Sequence, residues 1–215
     1  MIGSTHIDLG ATTEEARKIS EKSRKIVKKI VGDKTLEDRV RQKCVIATGD
    51  PEFKDLLQFN NDAVTRGVEA VKRGTPIFCD IKMIETGILK KGHKCKIMCV
   101  LGLGEDIAHE KGITRTSAGF FALGEKLNGS IVVIGNAPSA ALAVYQLVMK
   151  GVKPVFIVAT PVGFVQAAES KKKIRTLEIP SITCIGTKGG TPVAVAIMNE
   201  LITIAVQSSY SPLKE

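Results

Sequence analysis

The segment SIVVIGNAPSAALAVYQLVM, residues 130–149, decides the fold. Ile131, Val132, Val133 and Ile134 run apolar without alternation, Gly135-Asn136-Ala137-Pro138-Ser139 turns the chain, and helical apolar spacing follows. A strand with no polar side has both faces covered, which is the pattern of a parallel sheet. Outward from it, PIFCDI (76–81), CKIMCVL (95–101), PVFIVAT (154–160) and SITCIG (181–186) read as strands of the same kind, separated by helical stretches. Strand, helix and strand in that alternation imply right-handed crossovers. The expected fold is α/β: a doubly wound, mainly parallel five-stranded sheet with helices on both faces and N-terminal helices preceding the sheet.

Those N-terminal helices are announced by their caps. Thr12 with Glu15 forms a capping-box pattern, followed by a stripe of Ala16, Ile19, Ser23, Ile26 and Ile30 before Gly32. That stripe predicts an amphipathic helix with this face inward. Thr35 with Asp38 opens a second helix, in which Leu36, Val40, Cys44 and Ala47 share a face until Gly49 stops it. A third is expected over residues 54–72 on Leu56, Leu57, Ala63, Val64, Val68 and Val71. Residues 1–215 read as one domain, since no linker or repeat interrupts them.

The chain has 215 residues, 44% of them hydrophobic, which suffices for a sizeable core. Its uninterrupted apolar runs, Ile131 to Ile134 and Val155 to Ala159, fall far short of the roughly 20 residues that cross a bilayer. Met1 to Gly10 shows no secretory pattern, so a cytoplasmic location and no membrane partner are expected. The five cysteines are scattered, Cys95 and Cys99 lack a partner pair at metal spacing, and reduced thiols with no metal set are expected. A formal charge of +9 calls for an anionic partner. With no Trp and two Tyr, the stacking equipment of a nucleic-acid binder is missing. Some of the charge, in Arg17, Lys18, Lys22, Arg24, Lys25, Lys28 and Lys29, is the solvated face of the first helix. No Walker sequence is present, and Gly102-x-Gly104 is followed by Ile107 where a dinucleotide fingerprint needs a third glycine. No cofactor is expected.

In sheets of this class ligands sit at the carboxyl ends of the strands. Three turns there stand out. Gly135-Asn136-Ala137-Pro138 places a proline at a first helical position, where backbone N–H groups form an anion cradle. Thr160-Pro161-Val162-Gly163 precedes a second helix. Gly186-Thr187-Lys188-Gly189-Gly190-Thr191 sets a lysine among glycines, which suits a carboxylate or phosphate. Thr114-Arg115 opens a further helix, where the guanidinium is able to clamp a carboxylate. From residue chemistry alone, each of these is equally well an ordinary turn or a surface arginine, and both readings stand.

Six stretches carry a resemblance: TRTSAGF (114–120), IVVIGNAPSAAL (131–142), PVGFVQAAESK (161–171), IPSITCIGTKGGTPVAVAIMNEL (179–201), CDIKMIETGI (79–88) and, more loosely, ATGDPEF (47–53). Together they resemble the precorrin-8X and cobalt-precorrin-8 methylmutases, in order and over nearly the whole chain. The resemblance implies a homodimer with a polycarboxylate corrin precursor lodged near the subunit interface. It also implies an intramolecular shift of a methyl group from C11 to C12 of the macrocycle in cobalamin biosynthesis, giving hydrogenobyrinate or its cobalt form. Arg115 and His109 are expected to act in catalysis. Ser23, Ile46, Asp80, Met83, Thr114, Gly135, Asn136, Pro138, Lys188, Gly189 and Gly190 are expected to contact substrate.

Two departures from the family pattern matter. Family members usually carry a proton-donating His immediately before A-T-G-D, where this chain has Ile46, and Cys79 stands where relatives tend to have Thr. An isoleucine transfers no proton, and at 100° per residue position 46 falls off the Leu36–Val40–Cys44–Ala47 stripe, where a pocket-facing residue would project. Of His6, His93 and His109, the last lies in the loop region after the strand ending at Leu101 and is the best candidate among them for a replacement donor, beside ligand-bound solvent or the orientation given by Arg115. Losing a general acid costs about 10² to 10⁴ in rate, so a slowed enzyme is expected. The rival readings are a family relative that binds a corrinoid or another polycarboxylate without isomerising it, and an unrelated small-molecule enzyme using the same anion pocket.

Overall fold

The structure, a computed structural model, describes residues 9–210, so His6 and most of the Met1 to Gly10 stretch lie outside the described residues. The elements in chain order are α1 (Glu14–Val31), α2 (Leu36–Thr48), α3 (Phe53–Leu56), β1 (Leu57–Asn60), α4 (Ala63–Lys72), β2 (Ile77–Cys79), α5 (Lys82–Gly87), β3 (Ile97–Cys99), α6 (Glu105–Lys111), α7 (Arg115–Leu123), β4 (Ile131–Ile134), α8 (Pro138–Met149), β5 (Phe156–Ala159), α9 (Ala167–Arg175), β6 (Ser181–Cys184) and α10 (Thr191–Tyr210). The strands form one sheet in the order β1-β6-β5-β4-β2-β3. All pairs are parallel except β1 with β6. The doubly wound α/β architecture is as expected, with six strands in place of five.

The extra strand lies inside the stretch expected as a helix over 54–72. Leu57 and Phe59 pair antiparallel with Cys184 and Ile182, and Asn61 and Asp62 then take left-handed conformations, φ 56 and 53, before α4 begins. Asn and Asp tolerate that region better than other non-glycine residues, so they break the helix there.

Alternate residues of each strand feed opposite layers. Val133, Val158 and Ile182 face one layer, built with α2, α4 and α10. Val132, Ile134 and Ile157 face the other, built with Phe120, Ala140, Val144 and Ile174. The core of the first layer is α10. Its Thr191–Ser208 stretch is long and apolar enough to cross a membrane by length and composition, which a scan for uninterrupted apolar runs overlooks, and 67% of it is buried inside the fold.

Two helix faces differ from expectation. The N-cap of α1 is Thr13, whose hydroxyl accepts the Ala16 N–H at 3.2 Å, in place of Thr12. The α1 stripe does not turn inward: Ile19, Ile26 and Ile30 are 59%, 54% and 40% exposed, while Arg24 and Val27 are buried. Arg24 points inward because Glu200 of α10 accepts its guanidinium at 3.1 Å, which rolls the isoleucines outward. In α2 the Thr35–Asp38 capping box and the left-handed Gly49 are both present. Its buried residues are Val40, Gln42, Cys44 and Val45, with Leu36 and Ala47 exposed, because the helix packs against α1 and α10 together.

Candidate active site

The carboxyl ends of β2, β4, β5 and β6 open onto one rim. Asp80 follows β2 and is fully buried. Its carboxylate accepts N–H bonds from Gly135 at 3.2 Å and from Asn136 and Ala137 at 2.9 Å each. Burial pushes the Asp80 carboxyl up from its ordinary value, and the donated N–H bonds of Ala137, Asn136 and Gly135 pull it back. The cradle expected after β4 thus exists, but the chain's own Asp80 fills it. Pro138 is the first residue of α8, as its sequence position foretold. Gly135 is required by packing: a β-carbon there would lie 2.9 Å from Thr191 Cα and 3.0 Å from Ala194 Cβ, both on α10. Asn136 is exposed above them.

Thr114 caps α7, accepting the Ser117 N–H at 3.3 Å, and its hydroxyl meets Ser139 Oγ at 2.8 Å. That contact ties the start of α7 to the start of α8. Arg115 and His109 line one open cleft with Glu105, Ala108 and Ile113, so the structure brings both expected catalytic side chains together. Both are exposed, and neither forms an ion pair with the other described residues. Glu105 went unnoticed in the sequence, although it stands four residues before His109 on one helix, the spacing that makes helical neighbours.

Lys188 differs. Its ammonium is held by Asp50 at 2.6 Å and Glu52 at 2.9 Å. The ion pair draws Asp50 below the ordinary carboxylate value and lifts Lys188 above the ordinary lysine value. One cation facing two carboxylates is a poor lure for a further anion; what it does is fasten the loop after α2 to the turn after β6. Beneath it lies Lys171, fully buried, whose Nζ donates to the Lys188 carbonyl at 2.6 Å and approaches Cys184 Sγ at 3.4 Å. Burial pulls the Lys171 ammonium down. Sequence reading missed this residue, because a lysine in the KKK run of 171–173 looks solvated. Gly189 and Gly190 belong to the packing of the same turn: a β-carbon on Gly189 would lie 2.3 Å from Thr160 O, and the Gly190 N–H donates to Thr160 O at 2.7 Å.

The remaining expected residues lie farther apart. Met83 is 62% exposed on α5, just beyond Asp80. Ser23 is half-buried in the middle of α1, on the flank carrying Ile19 and Ile26. Ile46 is half-buried and packs against the core layer of α2 and α10, so it does not project freely as its helical angle suggested. His93 is tied to Leu89 O and the Cys95 N–H near the β3 edge. All five cysteines are free and buried, and no cluster of metal-ligating side chains occurs among the described residues.

Comparisons with known proteins point to one family. A sequence-family profile described as precorrin-8X methylmutase matches residues 18–204. The cobalt-precorrin-8 methylmutase of Methanocaldococcus jannaschii is 40% identical over 209 residues, covering 92% of this chain and 98% of that protein. The protein of the same description from Leptospira interrogans is 37% identical, covering 90% and 96%. Among solved structures, a precorrin-8X methylmutase from Thermus thermophilus superposes with a TM-score of 0.83 at 32% identity, covering 91% of this chain and 98% of its own. A profile match over residues 18–204, with relatives 37–40% identical over at least 90% of the chain, shows that this chain belongs to the precorrin-8X methylmutase family.

Proposed function

We propose that this chain moves a methyl group from C11 to C12 of precorrin-8X or cobalt-precorrin-8, an intramolecular isomerisation of cobalamin biosynthesis that yields hydrogenobyrinate or cobyrinate. Besides family membership, the observation that carries the reading is the pairing of His109 and Arg115 in one open cleft at the carboxyl side of the sheet. The reaction needs no external methyl donor, so the protein's work is to hold the ring and to supply a proton to it. Arg115, exposed at the start of α7, anchors an acidic arm of the ligand. His109 supplies the proton that Ile46 cannot. Thr114, Asn136 and Met83 border the same rim, and Asp80, Gly135, Pro138, Lys188, Gly189 and Gly190 fix the turns that shape it.

The enzyme works as a homodimer in the cytoplasm. Ile19, Ile26 and Ile30 form an exposed apolar stripe on α1 that a second copy would cover, and buried free thiols suit a reducing compartment.

The test is conversion of precorrin-8X or cobalt-precorrin-8, followed by absorbance. His109→Ala should lower kcat by about 10² or more, whereas Arg115→Ala should mainly raise KM, with the difference from wild type shrinking at high salt. Wild-type turnover with an undiminished rate in His109→Ala removes His109 as the donor. Absence of any wild-type conversion removes the activity.

A further inference from the structure

The loop between β5 and α9 presents to solvent what the rest of the fold hides. Phe164 is 95% exposed, Val165 78% and Val162 45%, and Ile185 on the neighbouring turn is 45% exposed. The loop is nevertheless pinned. The Gly163 N–H donates to Thr187 O at 3.0 Å, and Gln166 is held at φ 60 to start α9. A side-chain-bearing residue in that conformation is strained, and such strain gathers where geometry is imposed for function. The tip also abuts the turn after β6: a β-carbon on Gly190 would lie 3.7 Å from Val162 Cγ1. A fixed loop that holds an aromatic ring in water forfeits the gain of burying it until something covers it.

We propose that Phe164 and Val165 form an apolar wall against which one face of the corrin-type macrocycle lies, making them substrate-positioning residues. The inference rests on the methylmutase reading and adds to it a determinant of which ligands fit: flat rings with apolar faces and acidic edges. The observations favour the ligand over a second copy of the chain as occupant. Four side chains on two turns are far fewer than the roughly 20 residues per side of a stable protein interface. The α1 stripe, spanning Ile19 to Ile30, offers a longer apolar face for a partner copy elsewhere on the molecule. A ring with an acidic arm on Arg115 still needs a surface for its faces, and this tip is an exposed apolar surface that adjoins the glycines of the turn.

Titration of hydrogenobyrinate into wild-type, Phe164→Ser, Val165→Ser and Phe164→Leu proteins, followed by absorbance, tests the wall, with sedimentation velocity on each sample. Because both side chains stand in solvent, the core is untouched and the variants should melt with the wild type. The expected result is binding by wild type, about tenfold or greater weakening in Phe164→Ser, a smaller loss in Val165→Ser, partial recovery in Phe164→Leu, and one sedimentation coefficient throughout. Equal affinities in wild type and Phe164→Ser overturn the wall while leaving the methylmutase reading intact. Variants that sediment as a smaller species overturn it in favour of a contact between copies. A wild type that does not bind at all takes down the methylmutase reading together with the wall.

Discussion

Asp80 sits where a ligand anion was expected, and the consequence is specific. Three backbone N–H groups at the start of α8 have a buried carboxylate as their partner. Asp80→Ala would leave the buried Gly135 N–H and its two part-buried neighbours without their partner, which costs about 3 kcal/mol; chemical denaturation should show that loss, whereas Asn136→Ala, whose side chain is exposed, should show almost none. A denaturation midpoint of Asp80→Ala equal to wild type would mean that the turn finds other partners. The turn was legible in the sequence, because Gly135 and Pro138 mark it by backbone chemistry alone. Its occupant was not, since Asp80 is 55 residues away from Gly135, and no local pattern reports which distant carboxylate folds over a helix start. Lys188 teaches the same lesson with the sign reversed. Its glycine neighbours were readable, whereas Asp50 and Glu52, which claim its charge, lie across the chain.

Among the elements, α10 is the one the others are hung on. Glu200, fully buried on it, receives Arg24 of α1 at 3.1 Å and Arg39 of α2 at 2.8 Å. Removing one member of such a buried set leaves uncompensated charge, at a cost of about 3–5 kcal/mol. Glu200→Ala should therefore lose stability by that order and loosen α1 and α2 first, seen as faster amide exchange over residues 14–48 than in the sheet. Uniform exchange across the chain would count against the clamp. Parallel strands β2 to β6 were legible because short, continuous apolar runs between helical stretches suit a sheet covered on both faces and little else. The edge strand β1 was hidden by Leu56, Leu57 and Ala63, whose spacing imitates a helix, although the Asn60-Asn61-Asp62 cluster was a turn signal in plain view. The α1 stripe misled for a different reason: apolar helical spacing does not tell whether the same chain covers the face, and here Ile19, Ile26 and Ile30 stay exposed.

At the scale of the whole molecule, the exposed Ile19–Ile26–Ile30 face is the one proposed to meet a second copy, and the +9 charge suits the acidic ligand proposed for the strand ends. Ile26→Lys places a like charge opposite itself in any symmetric pairing across α1, and is expected to shift the protein from dimer to monomer in sedimentation equilibrium, with secondary structure retained. Dimers that persist in Ile26→Lys would relocate the contact. The six-stranded sheet itself has a temporal side. Leu57 in β1 registers with Cys184 in β6, so the outer edge is closed by partners more than a hundred residues apart. During synthesis β1 leaves the ribosome early and waits for almost all the remaining chain before it can be paired. Long-range pairing of this kind is slow, so Leu57 to Asn60 stays without its strand partner for much of synthesis, a stretch of nascent chain that a chaperone's cover would protect.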